Sequence, residues 1–108
     1  MRRVYLFCNA GMSTSLLASK MQKVADEHKL PFEVKAFPDS KMDTIIAEFN
    51  PDCICLGPQV KHLYGKVVEK YAHLGKPIFV IDSADYGAMN GERVLKMAIK
   101  KMKENEGK

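Results

Sequence analysis

Residues 4–17 read VYLFCNAGMSTSLL, and this stretch decides the fold. Residues 4–7 are apolar and rich in β-forming side chains, which predicts a buried strand that ends at Cys8. The next seven residues are mostly small or carry a hydroxyl, and apolar residues at helical spacing follow from Leu16. The stretch therefore predicts a strand, a tight polar loop and a helix in immediate succession.

The same alternation of strand and helix patterns continues along the chain. Residues 32–37 alternate in polarity and predict a strand at the edge of a sheet. Residues 53–56 are apolar throughout, which is typical of a central strand, and residues 78–81 predict a fourth strand. Helical spacing lies between the strands and again from about Asn90. We therefore expect one α/β domain over residues 1–108, with four parallel strands and helices on both faces.

The helical segments carry more detailed predictions. Leu16 is expected to belong to the buried stripe of the first helix. Asp39 or Ser40 is expected to cap the second helix. The third helix is expected from Val60, after a turn at residues 57–59, and residues 82–87 are expected to form a loop.

The charge, the apolar runs and the cysteines of the chain argue against a nucleic-acid-binding, a membrane-spanning and a disulfide-bonded protein. The formal charge is +4, and lysines near the end of the chain contribute much of it. Because no aromatic residues are interleaved with those lysines, a solvated helix face is expected and not a nucleic-acid surface. No apolar run is long enough to span a bilayer, and no export signal is visible, so the expected location is the cytoplasm. Three cysteines in such a chain are expected to be reduced thiols.

The loop after the first strand is the strongest candidate site. It consists of Cys8, Asn9, Ala10, Gly11, Met12, Ser13, Thr14 and Ser15. Ligands of parallel sheets bind beyond the carboxyl ends of the strands, where this loop lies. Its backbone amides and the positive end of the following helix can together cradle a phosphate. The same field favours the thiolate of Cys8, so the loop predicts a nucleophile that carries a phosphoryl group.

Other functions of such a loop remain open at this level. Cysteine phosphatases place an arginine six residues after the nucleophile to grip phosphate, and here that residue is Thr14. Asp82 or Asp85 could protonate a leaving group, although both also suit a loop or a helix cap. An enzyme similar to arsenate reductase would need a second thiol, and Cys53 and Cys55 lie within a predicted strand. A regulatory domain with a vestigial loop is a third possibility.

Residues 8–17, CNAGMSTSLL, resemble the phosphorylation-site loop of bacterial sugar phosphotransferase enzyme IIB components. The nearest type is the lactose/cellobiose type, which includes the chitobiose-specific proteins. The resemblance covers nearly the whole chain. It is supported by residues 4–7, 36–38, 56–60, 80–83, 86–87 and 94–96.

This resemblance implies a fold and a reaction. The sheet order would be 2-1-3-4, and the backbone of residues 9–15 would cradle the phosphate. Cys8 would receive phosphate from a phosphohistidine of enzyme IIA and pass it to a sugar held by membrane enzyme IIC. The implied sugars are β-linked disaccharides of the cellobiose, chitobiose or lactose class. The protein would meet the inner face of the membrane only transiently, through enzyme IIC.

Two partners must reach one sulfur, so an exposed rim is expected around Cys8. Met12, Pro58, Gln59 and Tyr86 lie on carboxyl-end loops and are the predicted contacts. Cys53 and Cys55, which with His62 could suggest a metal site, are expected to be core residues. No metal or cofactor is expected, and the chain is expected to be a monomer.

Overall fold

The computed structural model describes residues 1–9 and 12–107, and for Met12 it describes the backbone alone. Four parallel strands form the sheet, in the order β2-β1-β3-β4. Their bounds are β1 Arg2–Cys8, β2 Phe32–Pro38, β3 Cys53–Leu56 and β4 Ile78–Val80. The predicted fold class is confirmed, with β2 at an edge and β3 in the interior of the sheet.

Five α-helices occur in the described part of the chain. They are α1 Met12–Glu27, α2 Met42–Phe49, α3 Tyr64–Tyr71, α4 Ser83–Gly87 and α5 Gly91–Glu106. Short 3-10 helices at Asp39–Lys41, Pro58–Leu63 and Ala72–Leu74 adjoin α2 and α3. None of these helices combines the length and apolar character needed to cross a bilayer.

The sheet separates two apolar cores. Val4 and Leu6 of β1 belong to the core that α1 and α5 cover, and Tyr5 and Phe7 belong to the core that α2 and α3 cover. Successive side chains of a strand point to opposite faces, so this strand, which is buried from Val4 to Cys8, contributes to both cores. The end of β1 is therefore held from both sides, and Cys8 is its last residue.

Helices α1 and α5 pack side by side and approach closely at Gly91. A Cβ atom built on Gly91 would lie 2.9 Å from the Lys20 carbonyl carbon, 2.9 Å from the Lys20 Cβ and 2.9 Å from the Met21 nitrogen. Ordinary carbon–carbon contacts are about 3.5–4.0 Å long. The absence of a side chain at Gly91 thus permits the observed spacing of the two helices.

Several local predictions are wrong. Leu16 is 51% exposed and does not belong to the buried stripe. No side chain caps the 3-10 helix that precedes α2, so the cap predicted at Asp39 or Ser40 is absent there. The third helix begins later than expected, because Val60 has a non-helical backbone (φ −115, ψ 22) within the 3-10 segment Pro58–Leu63.

Residues 82–87, expected as a loop, contain the short helix α4. Asp82 begins this helix, and its Oδ1 accepts hydrogen bonds from the Ala84 nitrogen at 2.9 Å and the Asp85 nitrogen at 3.2 Å. These bonds satisfy amide groups that would otherwise have no partner at the start of a helix. The capping interpretation of Asp82 is confirmed.

Candidate active site

Cys8 occupies the carboxyl end of β1, one of the two interior strands. Its backbone pairs with Pro38 on β2, and on the other side Phe7 pairs with Leu56 on β3. The residue is only 2% exposed, whereas Asn9 and Gln59 beside it are exposed. The sulfur is therefore held deep at the sheet edge, beneath more accessible neighbours.

Two side-chain amide oxygens face the Cys8 sulfur. The Sγ atom lies 3.6 Å from Oε1 of Gln59 and 3.7 Å from Oδ1 of Asn9. A thiol S–H is a donor and an amide oxygen is an acceptor, so either oxygen can accept the single proton of the thiol. Gln59 comes from the connection after β3, so two different strand ends meet at the thiol.

Gly57 makes the approach of Gln59 to the sulfur possible. A Cβ atom at Gly57 would lie 2.8 Å from Gln59 Oε1, 3.3 Å from Cys8 Cβ and 3.6 Å from Cys8 Sγ. The Gly57 nitrogen also donates to the Phe7 carbonyl oxygen at 2.8 Å, which extends the pairing of β1 and β3 to this point. The space beside the thiol is thus bounded by glycine backbone on the β3 side.

Thr14 lies in the first turn of α1 and is buried, with 2% of its surface exposed. Its hydroxyl oxygen is 2.8 Å from the hydroxyl oxygen of Tyr86, and either group can be the donor. Thr14 and Cys8 line one cavity of about 150 Å³, and the other lining residues are Ser15, Ala36, Phe37 and Pro38. A threonine therefore lines the same small cavity as the cysteine, at the sequence position where a cysteine phosphatase has an arginine.

The predicted rim is only partly accessible. Gln59 is exposed and Pro58 is half-buried, so both offer surface to a partner. Tyr86 is 8% exposed, and its prediction as an exposed rim residue is wrong because its hydroxyl turns inward to Thr14. The predicted contact of Met12 falls on a side chain outside the described residues.

The phosphate cradle expected over residues 9–15 stays a prediction. Ala10 and Gly11 lie outside the described residues. Asn9, Ser13 and Ser15 are exposed on either side of them, at the end of β1 and the start of α1.

The candidate acids have other roles in the structure. Asp82 caps α4, as described above. Asp85 accepts a hydrogen bond from Nε of Arg93 at 2.8 Å in an ion pair. Both side chains are thus engaged in structural contacts, a helix cap and an ion pair.

Cys53 and Cys55 lie in the core and not at the candidate site. Both are fully buried, and their sulfur atoms are 4.0 Å apart on the face of the sheet that α1 and α5 cover. Burial raises the pKa of the Cys55 thiol well above its ordinary value, and the neighbouring Cys53 raises it further. Cys55 is therefore a protonated core residue. Within residues 1–9 and 12–107, no three His, Cys, Asp or Glu side chains are grouped to hold a metal.

Two features of the site could not be found from sequence reasoning. The bond between Thr14 and Tyr86 joins residues 72 positions apart. The contact between Cys8 and Gln59 joins residues 51 positions apart. The loops themselves were recognised, but no spacing in the chain indicates which of their side chains meet.

These features define an α/β protein with a cysteine-centred site at the carboxyl edge of a parallel sheet. The chain belongs to the lactose/cellobiose-specific IIB subunit family of the phosphotransferase system, whose model matches residues 3–97. The resemblance seen in residues 8–17 is thereby confirmed.

Two relatives illustrate the similarity. The galactose-specific EIIB component of Lactococcus lactis subsp. cremoris is 44% identical over 98 residues, which cover 88% of this chain and 91% of that protein. The cellobiose-specific EIIB component of Lactococcus lactis subsp. lactis is 43% identical over 98 residues, with the same coverage of 88% and 91%. Proteins with different sugar names are thus almost equally similar to this chain.

Solved structures are similar over nearly the whole chain. The cellobiose-specific IIB protein of Borrelia burgdorferi has a TM-score of 0.73 and 28% identity, and the match covers 95% of this chain and 94% of that one. The lactose-specific IIB domain of Streptococcus pneumoniae has a TM-score of 0.80 at 17% identity, with coverage of 93% and 96%, and shows the shared fold.

Family membership establishes the general function. The protein is a sugar-specific EIIB component, and such components work within the phosphotransferase system together with EIIA and EIIC. A small cysteine phosphatase or an enzyme similar to arsenate reductase is not favoured.

Proposed function

We propose that the protein is a phosphoryl relay in which Cys8 carries the phosphate. The observation that carries this proposal is the position of Cys8. Cys8 lies at the carboxyl edge of the sheet and lines a small cavity together with Thr14, at the start of α1. A nucleophile and hydrogen-bond donors placed around one small space are what phosphoryl transfer requires.

In the first step, the Cys8 thiolate attacks the phosphorus of a phosphohistidine on EIIA. The S–P bond forms as the N–P bond breaks, and the imidazole nitrogen keeps the bonding electron pair. The thiol proton is lost beforehand to water or to a base on EIIA. The amides of residues 9–15 and the positive end of α1 would bind the phosphoryl oxygens.

In the second step, a sugar hydroxyl bound by EIIC attacks the same phosphorus. The O–P bond forms, the S–P bond breaks, and sulfur leaves as a thiolate with the bonding pair. The hydroxyl proton is lost to water or to a base on EIIC. This step regenerates Cys8 for the next cycle at the inner face of the membrane.

The residues of the site favour transfer to a partner over hydrolysis. Thr14 supplies a neutral hydroxyl where an arginine would hold a phosphate bidentately. Asp82 and Asp85 are engaged in a cap and an ion pair, so neither is poised as the acid of a phosphatase. A phosphocysteine in this site would therefore remain reactive towards a second protein.

We propose a β-linked disaccharide of the cellobiose, chitobiose or lactose class as the final acceptor. The support is the family, which is described as lactose/cellobiose-specific, and the name of one relative, a cellobiose-specific component. Recognition of the sugar is assigned to EIIC, so the choice among these sugars is tested with EIIC and not with this chain.

The proposal is tested by reconstitution and mass spectrometry. The protein is incubated with phosphoenolpyruvate, enzyme I, the histidine carrier protein and an EIIA of the lactose/cellobiose type. The wild-type chain should gain the mass of one phosphoryl group, and peptide mapping should place it on Cys8.

Matched cysteine variants control the experiment. Cys8→Ala should gain no phosphate, whereas Cys53→Ala should gain it as the wild type does, because Cys53 lies in the core. Phosphate on the Cys8→Ala chain, or none on the wild type, would refute the assignment. Turnover of p-nitrophenyl phosphate that disappears in Cys8→Ala would instead support a phosphatase.

A further inference from the structure

We propose that Gln59 is a catalytic residue of this relay, whose side-chain amide accepts a hydrogen bond from the Cys8 thiol and, after phosphorylation, donates one to the phosphoryl group. The inference rests on the proposed function and assigns a role to a residue outside the loop of residues 8–15. Its basis is the distance of 3.6 Å between Gln59 Oε1 and Cys8 Sγ.

The backbone around Gln59 is built for this contact. Gln59 lies in the 3-10 segment Pro58–Leu63, directly after the end of β3, so its main chain is anchored to the sheet. Gly57 leaves the space that the amide occupies, since a Cβ atom there would lie 2.8 Å from Oε1. The side chain is exposed, so its amide can rotate without displacing core residues.

Phosphorylation of Cys8 requires the side-chain amide of Gln59 to rotate. A thiol donates a hydrogen bond, and the oxygen of Gln59 faces it. A thiolate or a phosphocysteine has no proton to donate and presents only acceptors, which the amide oxygen cannot bind. A half-turn of the amide exchanges oxygen for the NH2 group in the same space, because glutamine carries an acceptor and a donor on one planar group.

The neutral charge of glutamine also fits a relay. Hydrogen bonds from charged donors are roughly twice as strong as neutral ones, so a lysine or arginine here would hold the phosphate and slow its departure. A neutral donor stabilises the transferring group in both steps and releases it in the second. Asn9 also faces the sulfur, but it lies in the loop itself, whereas Gln59 brings a donor from a separate element.

Two nearly isosteric variants separate the donor role from simple packing. Gln59→Met keeps the bulk and loses the polar group, and Gln59→Glu keeps an acceptor oxygen but adds a charge that repels phosphate. The rate of Cys8 phosphorylation is measured in single turnovers at saturating phospho-EIIA, so that differences in docking are removed. Loss of one neutral hydrogen bond should slow Gln59→Met about 2- to 13-fold. Gln59→Glu should be slower still.

A spectroscopic measurement reads the rotation directly. In the wild type, the side-chain NH2 resonances of Gln59 should shift when Cys8 is phosphorylated. Gln22 is the control, because its side-chain NH2 group donates to the Phe32 carbonyl oxygen and not to Cys8. Its resonances should not shift. Unchanged Gln59 resonances would overturn the inference.

The rate measurements have clear outcomes. Equal rates for Gln59→Met and Gln59→Glu, or rates within twofold of the wild type, would overturn the role of Gln59 while leaving Cys8 as the phosphate carrier. A wild-type chain that accepts no phosphate would overturn the relay itself and this inference with it.

Discussion

Gly91→Ala should destabilise the protein because it separates α1 from α5. The new Cβ atom would lie 2.9 Å from each of three atoms of Lys20 and Met21, two of which belong to the α1 backbone. Backbone cannot rotate away as a side-chain end can, so the helices must move apart by a few tenths of an ångström or more.

The expected magnitude follows from two opposing effects. Overpacking of this kind costs about 1–3 kcal/mol. Replacement of a glycine by alanine in the middle of a helix stabilises the protein by about 0.5–1 kcal/mol. Gly91 is the first residue of α5, so the gain here is smaller. The net loss in unfolding free energy should be about 1–2 kcal/mol. For a domain of this size, that loss lowers the Tm by roughly 5–15 °C.

The assay is urea and thermal unfolding followed by circular dichroism, with Gly65→Ala as the matched control. Gly65 is an exposed residue of α3, and a Cβ atom built there meets no atom within 4 Å. The same substitution should therefore stabilise the protein by up to about 1 kcal/mol at that position. A Gly91→Ala chain as stable as the wild type would refute the close approach of α1 and α5.

Three further predictions concern a hydrogen bond at the site, a thiol in the core and an ion pair on the surface. Tyr86→Phe leaves the buried Thr14 hydroxyl without its partner and should lower the unfolding free energy, measured in urea, by about 1–2 kcal/mol. Phosphorylation of the variant should also be slower. Unchanged stability would contradict a direct bond between the two hydroxyl groups. Cys55→Ser places a hydroxyl in the apolar core and should lower the unfolding free energy by about 1–3 kcal/mol. The folded variant should still accept phosphate normally. A loss of phosphate uptake would contradict a purely structural role of Cys55. The Lys70 ammonium, followed by a hydroxyl donor from the next residue, lowers the pKa of Asp43. The lowered pKa contributes stability that is present above the unfolded pKa of about 3.9 and is lost as the pH falls below it. Asp43→Asn should therefore lose less stability than the wild type between about pH 5 and pH 2. Parallel curves of unfolding free energy against pH for the two proteins would refute the interaction.

The sequence by itself determined the four strands and the four longer helices, in their order along the chain. Strand β3 is apolar on both faces and β2 alternates, and the structure places them in the interior and at the edge of the sheet as predicted. These predictions succeed because burial imposes a period on each segment separately. The same reasoning located Cys8 at the end of β1, next to the start of α1. The order of the strands came from the family resemblance and not from any spacing.

Only the tertiary structure decided which side chains meet at the site. Tyr86 was expected at the surface, but it bonds to Thr14, and Gln59 reaches Cys8 because Gly57 leaves room for it. Leu16 has the spacing of a core residue and is nevertheless exposed. The physical reason is common to all of these cases. A periodic pattern reports the average environment of one segment, whereas a contact between distant residues depends on the distance and angle at which two packed segments come together.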